Sequence, residues 1–154
     1  MSVPKGKRRK NKLRAFEKAK DMACYTLEIC SNKRVFPGRF DGVTKQVVDL
    51  AWSAARYLWL ANNVDMTERE PAAWEQRKQY QRQGMLCLKD LLFEIDMCEK
   101  VFGGKREDGS KEKRLDGRKV STLAGHVVET QELARKWIES DRKRYGSIGH
   151  GSRL

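Results

Sequence analysis

The chain has 154 residues, of which 39% are hydrophobic and 35% are charged. It is long enough for one compact domain, and its surface must be rich in charge. Lysine and arginine number 33 against 21 acidic residues, a net charge of +12, which favours polyanionic partners such as RNA and possibly DNA. No apolar run approaches the roughly 20 residues that cross a bilayer, and no apolar segment follows the basic N-terminus. We expect a cytoplasmic protein with no membrane partner.

The first segment is strongly basic. Residues 1–14 contain seven basic residues and no acid, and apolar periodicity begins only at Leu13. We expect residues 1–12 to be a disordered basic arm that contacts nucleic-acid phosphates. The alternatives are a run of the nuclear-localisation type, a solubility tail and an ordinary disordered end. The candidate contacts in this segment are Lys5, Lys7, Arg8, Arg9, Lys10, Lys12 and Arg14.

Apolar residues at helical spacing predict four helices, over residues 13–31, 43–63, 73–102 and 120–144. The stripe of the first helix is Phe16, Ala19, Ala23, Leu27 and Cys30, widened by Met22 and Ile29. The stripe of the second helix is Val43, Val47, Ala51, Ala54, Leu58 and Ala61. The stripe of the fourth helix is Val120, Leu123, Ala124, Val127, Ala134 and Ile138.

The third helix carries two apolar faces. Its main stripe is Leu88, Leu91, Ile95, Cys98 and Phe102. At 100° per residue, Leu86, Phe93 and Met97 fall on the opposite side, where the surface helix of a monomer is normally polar. We therefore predict that these three residues form an oligomer interface.

The segments between the helices supply further candidate contacts for nucleic acid. Arg34 and Arg39 flank Pro37 in a predicted loop over residues 32–42. Residues 103–119 hold four glycines and eleven charged residues, which is typical of a long flexible loop. Residues 146–154 are expected to be a flexible tail.

The fourth helix ends in three consecutive cations, Arg142, Lys143 and Arg144. They are candidate nucleic-acid contacts. Cations at a helix C-terminus also interact favourably with the helix dipole, so a purely structural role is an equally good interpretation. Together, the four helices and their connections predict an all-α, antiparallel up-down-up-down four-helix bundle over residues 13–145.

Two tryptophans, Trp52 and Trp59, lie seven residues apart on one edge of the second helix with Arg56 between them. Such a pair could stack on bases. Packing in the core or between subunits is favoured, because large aromatic residues at helical spacing are usually buried.

Residues that could carry out chemistry are sparse in this sequence. Its four cysteines, at positions 24, 30, 87 and 98, show no C-x-x-C spacing, so we expect buried, reduced thiols. A single His126-x-x-Glu129 pair favours a surface histidine over the paired Glu-x-x-His motifs of a di-metal bundle. No residues form a recognisable catalytic set, and we expect a protein that is not an enzyme and holds no metal or cofactor.

Four short stretches together resemble a known family: Phe-Glu-Lys-Ala-Lys-Asp at 16–21, Arg-Val-Phe-Pro-Gly-Arg-Phe at 34–40, Leu-Leu-Phe-Glu-Ile at 91–95, and Trp-Ile-Glu-Ser-Asp-Arg-Lys-Arg at 137–144. In this order and spacing they resemble Avd, the accessory variability determinant of diversity-generating retroelements. Proteins encoded in intervening sequences of ribosomal RNA genes share that fold. The resemblance covers residues 13–145, whereas the basic arm and the 103–119 loop depart from the common pattern.

The resemblance implies a homopentameric barrel of four-helix bundles with a basic surface. It also implies a non-catalytic accessory protein that binds the element's reverse transcriptase and template RNA and supports mutagenic cDNA synthesis. Two alternatives remain. One is a protein of the ribosomal-RNA intervening-sequence type, and the other is a basic structural or interaction oligomer without a retroelement role.

Overall fold

The computed structural model of the protein describes residues 5–36, 41–103 and 115–149, with the side chains of residues 5–13 and 41 outside the description. The described part is all-α, without strands, and consists of four helices. They are α1 (Lys5–Ser31), α2 (Asp41–Asn63), α3 (Pro71–Phe102) and α4 (Gly117–Tyr145). None of these helices is both long enough and apolar enough to cross a membrane.

Some of the predictions fall on residues outside the description. These are the first four residues of the predicted arm, the candidate contact Arg39, residues 104–114 of the charged loop and residues 150–154 of the predicted tail.

All four helices begin earlier than their apolar stripes predict, and α2 does so by two residues, at Asp41. Helix α1 begins at Lys5, so residues 5–12, which we expected to be disordered, are helical. The reason is local: no proline follows Pro4 in this segment, and lysine and arginine are good helix formers. Helix α3 begins at Pro71, a residue suited to the first turn of a helix, with Glu70 held extended before it.

Helix α4 begins at Gly117 because Asp116 caps it. The Asp116 carboxylate accepts hydrogen bonds from the backbone N–H groups of Arg118, at 3.1 Å, and Lys119, at 3.3 Å. A side-chain oxygen at this position satisfies helix N–H groups that have no partner within the helix. The last three residues of the predicted 103–119 loop therefore belong to the helix.

The helices pack around a continuous apolar core. Fully buried residues come from all four: Met22 in α1, Val47 in α2, Leu91 in α3 and Leu123 in α4. The stripe predicted for α1 is displaced, because Leu27 is exposed and Met22, expected at its edge, is at its centre. Helices α1 and α3 each contact both α2 and α4.

A glycine allows α2 and α3 to approach closely. A Cβ atom built on Gly84 would lie 3.0 Å from Cδ2 of Leu58 and 3.2 Å from its Cγ. Leu58 is fully buried. Gly84 therefore provides the space that this leucine fills, and its value at this position is steric.

Candidate nucleic-acid interface

One end of the molecule gathers most of the basic residues that the sequence analysis selected. A cluster of buried residues joins Ala15, in the first half of α1, to Ala61 near the end of α2, and to Ala134 and Trp137 in the second half of α4. The N-terminal half of α1 therefore lies at the same end of the molecule as the C-terminal halves of α2 and α4. We call this region, with residues 5–14 and 142–144, the basic end.

The side chains described at the basic end are accessible. Arg14, Arg142 and Lys143 are exposed, and Arg144 is half-buried. The cations at Lys5, Lys7, Arg8, Arg9, Lys10 and Lys12 lie on helical backbone that continues α1 outward from Arg14. At 1.5 Å per residue this continuation is about 14 Å long. The structure thus brings the two predicted basic stretches to the same end.

Arg34 lies at the opposite end. It is exposed, and the neighbouring Val35 packs in the same cluster as Ile95 and Cys98, near the end of α3. The 21 residues of α3 between Arg77 and Cys98 span about 30 Å, which is also the approximate separation of the two ends. Arg34 therefore does not join the basic end.

The ring of Tyr145 contacts two arginines at the basic end. The guanidinium of Arg69 lies 5.4 Å from the centroid of its ring, and that of Arg144 lies 5.9 Å away. Nη2 of Arg69 donates to the carbonyl oxygen of Arg144 at 2.9 Å, which supplies a partner for the end of α4. Arg69 has a left-handed backbone, with φ of 52°. Arg69 is not recognisable as a candidate in the sequence, because its neighbours Glu68 and Glu70 leave the segment without a net basic charge.

A buried ion pair lies beneath these cations. Arg77 and Asp141 are 2% and 1% exposed. Nε of Arg77 donates to Oδ2 of Asp141 at 2.6 Å and Nη2 donates to Oδ1 at 3.0 Å, a two-point contact between α3 and α4. Nη1 donates to the carbonyl oxygen of Ala61 at 3.3 Å, and Nε2 of Gln81 donates to Oδ2 of Asp141 at 2.6 Å.

Aromatic rings enclose this pair. The guanidinium of Arg77 lies 5.2 Å from the ring centroid of Trp137 and 5.6 Å from that of Tyr145. The indole Nε1 of Trp137 is buried without a hydrogen-bond partner within the described residues. The network therefore connects three helices directly below the cations of the basic end.

The predicted stripes did not include the residues of this network, although helical periodicity could have located their positions. Continuing the buried apolar face of α3 back from Leu88 in steps of four and three residues leads to Gly84, Gln81 and Arg77. The stripe of α4 passes through Trp137 and Asp141, which are buried, whereas the predicted Ile138 is half-buried. Charged residues are rarely buried unless they are paired, and pairing is not visible in one sequence.

The second apolar face of α3 is exposed, as its helical position predicts. Phe93 is 61% exposed, and Leu86 and Met97 are 45% and 40% exposed. Val101 continues the same side of the helix and is also exposed. We call Leu86, Phe93 and Met97 the α3 stripe.

Another apolar surface lies on the far side of α2. Trp52 and Trp59 are 53% and 46% exposed, so they do not pack in the core of the single chain, and packing between subunits stays a prediction. They line an open groove between α1 and α2 of about 710 Å³, together with Phe16, Lys20 and Arg56. We call it the tryptophan groove.

The His126-x-x-Glu129 pair contacts a lysine. Nζ of Lys18 lies 3.0 Å from Nδ1 of His126 and 2.7 Å from Oε2 of Glu129. The hydrogen bond from Lys18, followed by its charge, lowers the pKa of Glu129. An ammonium group thus lies where a shared metal ion would be needed, and the three residues connect α1 to α4. The described residues contain no group of three or more His, Cys, Asp or Glu side chains placed to hold a metal.

The cysteines differ in their environments. Cys30 and Cys98 are buried, Cys87 is half-buried and Cys24 is exposed, so the expectation of four buried thiols is wrong for Cys24. Burial, followed by the charge of Cys98, raises the pKa of Cys30 to about 12. Burial also raises the pKa of Cys98 to about 11. These two thiols therefore stay protonated at neutral pH.

The fold and the surfaces define a four-helix, all-α protein with one strongly basic end. No protein-family model matches the chain, and neither a curated protein nor a solved structure matches it.

Proposed function

We propose that the protein is a non-catalytic accessory protein that binds RNA through its basic end. The observation that carries the proposal is the meeting of two basic stretches, residues 5–14 and 142–144, at one end of the bundle. Residues 1–14 hold seven basic residues and no acid, whereas the rest of the chain holds 26 basic and 21 acidic residues. Concentrated cations release counterions from a polyanion when they bind it, which is the main source of affinity for a phosphate backbone.

The arrangement of the helices in this proposal is an antiparallel up-down-up-down bundle. Three contacts support it, each between the first half of one helix and the second half of another. Ala15 in α1 shares a cluster with Ala61 in α2. Nε2 of Gln46, early in α2, donates to Oε1 of Glu94, late in α3, at 3.2 Å. Arg77, early in α3, pairs with Asp141, late in α4.

The resemblance to the Avd family extends the proposal to partners. The protein would bind the reverse transcriptase and the template RNA of a diversity-generating retroelement and support mutagenic cDNA synthesis. It would work as a homo-oligomer, a pentamer by that resemblance. Assembly strengthens the electrostatic argument, because several copies would present several basic ends to one RNA.

The test compares two ends of the same molecule. One variant replaces Arg142, Lys143 and Arg144 with glutamine, and a matched variant replaces Arg34, Arg118 and Lys119, which are exposed at the opposite end. Both remove three positive charges. Fluorescence anisotropy with labelled RNAs of unrelated sequence should show a loss of about tenfold or more for the first variant only. The loss should be the same for every sequence, because phosphate contacts do not read bases.

Two results would overturn the proposal. Equal losses in the two variants would mean that the basic end has no special role. Self-association without measurable RNA affinity at physiological salt would favour the structural or interaction oligomer. A reverse transcriptase gene and a pair of near-repeats beside the gene would support the retroelement role, and their absence would favour the ribosomal-RNA intervening-sequence type.

A further inference from the structure

Two unlike surfaces of the chain complement each other. The tryptophan groove presents Trp52, Arg56 and Trp59 at positions i, i+4 and i+7 of α2. The α3 stripe presents Leu86 and Phe93 at the same seven-residue spacing, and Asp90 lies at the i+4 position between them. Each surface is therefore an apolar pair about 10 Å long with a charged residue at the same i+4 position. Arg56 and Asp90 carry opposite charges, and Lys89 lies beside Asp90 at the i+3 position.

Both charges are available for a partner. Arg56 and Asp90 are exposed, and neither forms an ion pair within the part of the chain that the structure describes. By contrast, the other cation lining the groove, Lys20, is engaged with Glu17 at 3.0 Å. The apolar residues beside the two charges are unusually exposed for their types, with Phe93 and Trp52 more than half accessible.

We infer that the α3 stripe of one copy of this chain docks in the tryptophan groove of a second copy, with Asp90 of one copy opposite Arg56 of the other. The inference rests on the proposed self-association and specifies the surfaces that meet. Aromatic anchors with an arginine at the centre of an apolar patch are typical of the energetic centre of protein interfaces.

Two α3 stripes related by a twofold axis through the midpoint of Leu86 and Phe93 would place Asp90 beside Lys89 of the other copy, a pairing that would not depend on Arg56. Charge argues against a symmetric pairing of the groove with itself, since a twofold axis through its centre would bring Arg56 close to Arg56. Like charges held together in an apolar contact are costly. The two surfaces lie on different helices, so each copy that docks its stripe leaves its own groove open. Such a head-to-tail contact produces a ring if the rotation closes, and a filament if it does not.

Single-stranded RNA is the rival occupant of the groove, since bases could stack on Trp52 and Trp59. The effect of replacing Asp90 distinguishes RNA binding in the groove from docking of a second copy. An RNA site in the groove has no use for an acid on α3, whereas docking of a second copy requires it. The apolar α3 stripe, moreover, offers nothing to a phosphate backbone.

The first experiment exchanges the charges in the full chain. Sedimentation velocity over a range of concentrations would compare wild type, Arg56→Asp, Asp90→Arg and the double variant. Each single variant should weaken self-association about tenfold or more, because it places like charges opposite each other. The double variant should recover most of that loss. The charge-matched controls are Lys136→Asp and Glu139→Arg, exposed on α4, which should assemble as wild type does. Circular dichroism verifies that every variant is folded.

The second experiment tests the direction of the contact. One variant carries Trp52→Asp and Trp59→Asp, which block the groove, and the other carries Phe93→Asp and Met97→Asp, which block the stripe. Each should be monomeric alone. Mixed together, they should form a 1:1 dimer that grows no further, because one intact stripe meets one intact groove.

Each failure has a distinct meaning. A wild-type chain that is monomeric at all concentrations would refute both the self-association and this inference. An assembled wild type whose single variants assemble equally well, or whose double variant does not recover, would refute the inference alone. Normal assembly of Arg56→Asp together with lost RNA binding would assign the groove to nucleic acid.

Discussion

The core of the protein differs between its two halves. Toward the loop at residues 32–36, buried side chains from the four helices are mainly apolar, such as Val47, Leu91 and Val120. Toward the basic end, the space between α3 and α4 is filled by Arg77, Gln81 and Asp141, with Trp137 against them. Burial of apolar side chains stabilises the folded state but does not depend on the direction of each contact. A two-point guanidinium–carboxylate contact, by contrast, forms only in one geometry. We expect the first half to contribute stability, and the second to fix the register of α3 against α4 beneath the cations for which we propose RNA binding.

The largest expected effect comes from breaking the buried pair. Asp141→Ala removes the carboxylate partner of the buried Arg77 guanidinium and leaves it beside the Ala61 carbonyl and two aromatic rings. We expect the free energy of unfolding to fall by about 3–5 kcal/mol, the usual cost of removing one partner of a buried pair. Urea denaturation followed by circular dichroism measures it. A loss below about 1 kcal/mol would show that water reaches the site and that the pair is not a structural element.

A combined variant sharpens the comparison between the two halves. Arg77→Met, Gln81→Leu and Asp141→Leu together make the second half apolar. Because no uncompensated charge remains, the triple variant should be more stable than Asp141→Ala and close to wild type. If the network fixes the register, the ordered near-ultraviolet dichroism of Trp137 and Tyr145 should weaken in this variant although stability is regained. Wild-type spectra would contradict that role.

A cavity in the apolar half should cost somewhat less than the broken pair. Leu91 is fully buried at the centre of the apolar cluster, and Leu91→Ala should lower the free energy of unfolding by about 3 kcal/mol. RNA affinity per folded molecule should not change, since Leu91 is remote from the basic end. A variant with Asp141→Ala, measured below its midpoint of unfolding, should instead bind RNA more weakly.

The next effect concerns the close approach of α2 and α3. Gly84→Val places its first side-chain atom at 3.0 Å from Leu58 and adds two more atoms in the same space. We expect a loss of about 2 kcal/mol from overpacking. Gly84→Ala is the matched variant, and it should cost less, since its gain in helix propensity of about 1 kcal/mol offsets part of the contact. Equal stability of the wild-type protein and the Gly84→Val variant would mean that the Leu58 side chain shifts away at no cost in free energy.

The smallest expected effect is a difference in reactivity between the exposed and the buried cysteines. At pH 8, a disulfide reagent should modify the exposed Cys24 first, while Cys30 and Cys98 react only on unfolding. The folded pKa of Cys30, about 12, lies above its ordinary value of 9.0. The stabilising effect of keeping this thiol protonated is therefore complete below pH 9 and is lost as the pH rises toward 12. Cys30→Val should remove that part of the pH dependence.

Sequence patterns predicted the elements that follow simple periodicity. The α2 stripe, Val47 to Ala61, is buried, and the α3 stripe is exposed opposite Leu91, because apolar residues at 3.6-residue spacing define faces directly. Patterns failed where polar residues occupy core positions. Arg77 and Asp141 lie 64 residues apart, so nothing local in the sequence reveals their contact.

The sequence predicted which residues belong to the candidate site, but not that the fold brings them together. The basic stretches at residues 5–14 and 142–144 were visible as charge runs, whereas their meeting at one end depends on how the helices pack. Arg69 was missed because its role depends on a left-handed backbone that places it over Tyr145. The exposure of Trp52 and Trp59 also depends on packing, since α1 covers only one side of α2.

The most direct test of RNA binding through the basic end is the salt dependence of the affinity of the full-length, assembled protein for single-stranded RNA. Each neutralised phosphate contributes about 0.7 to the slope of the logarithm of the binding constant against the logarithm of salt concentration. Six or more contacts at the basic end predict a slope steeper than about −4, hence a loss of more than about a hundredfold between 50 and 200 mM salt. A loss below about threefold over that range would contradict electrostatic binding through the basic end.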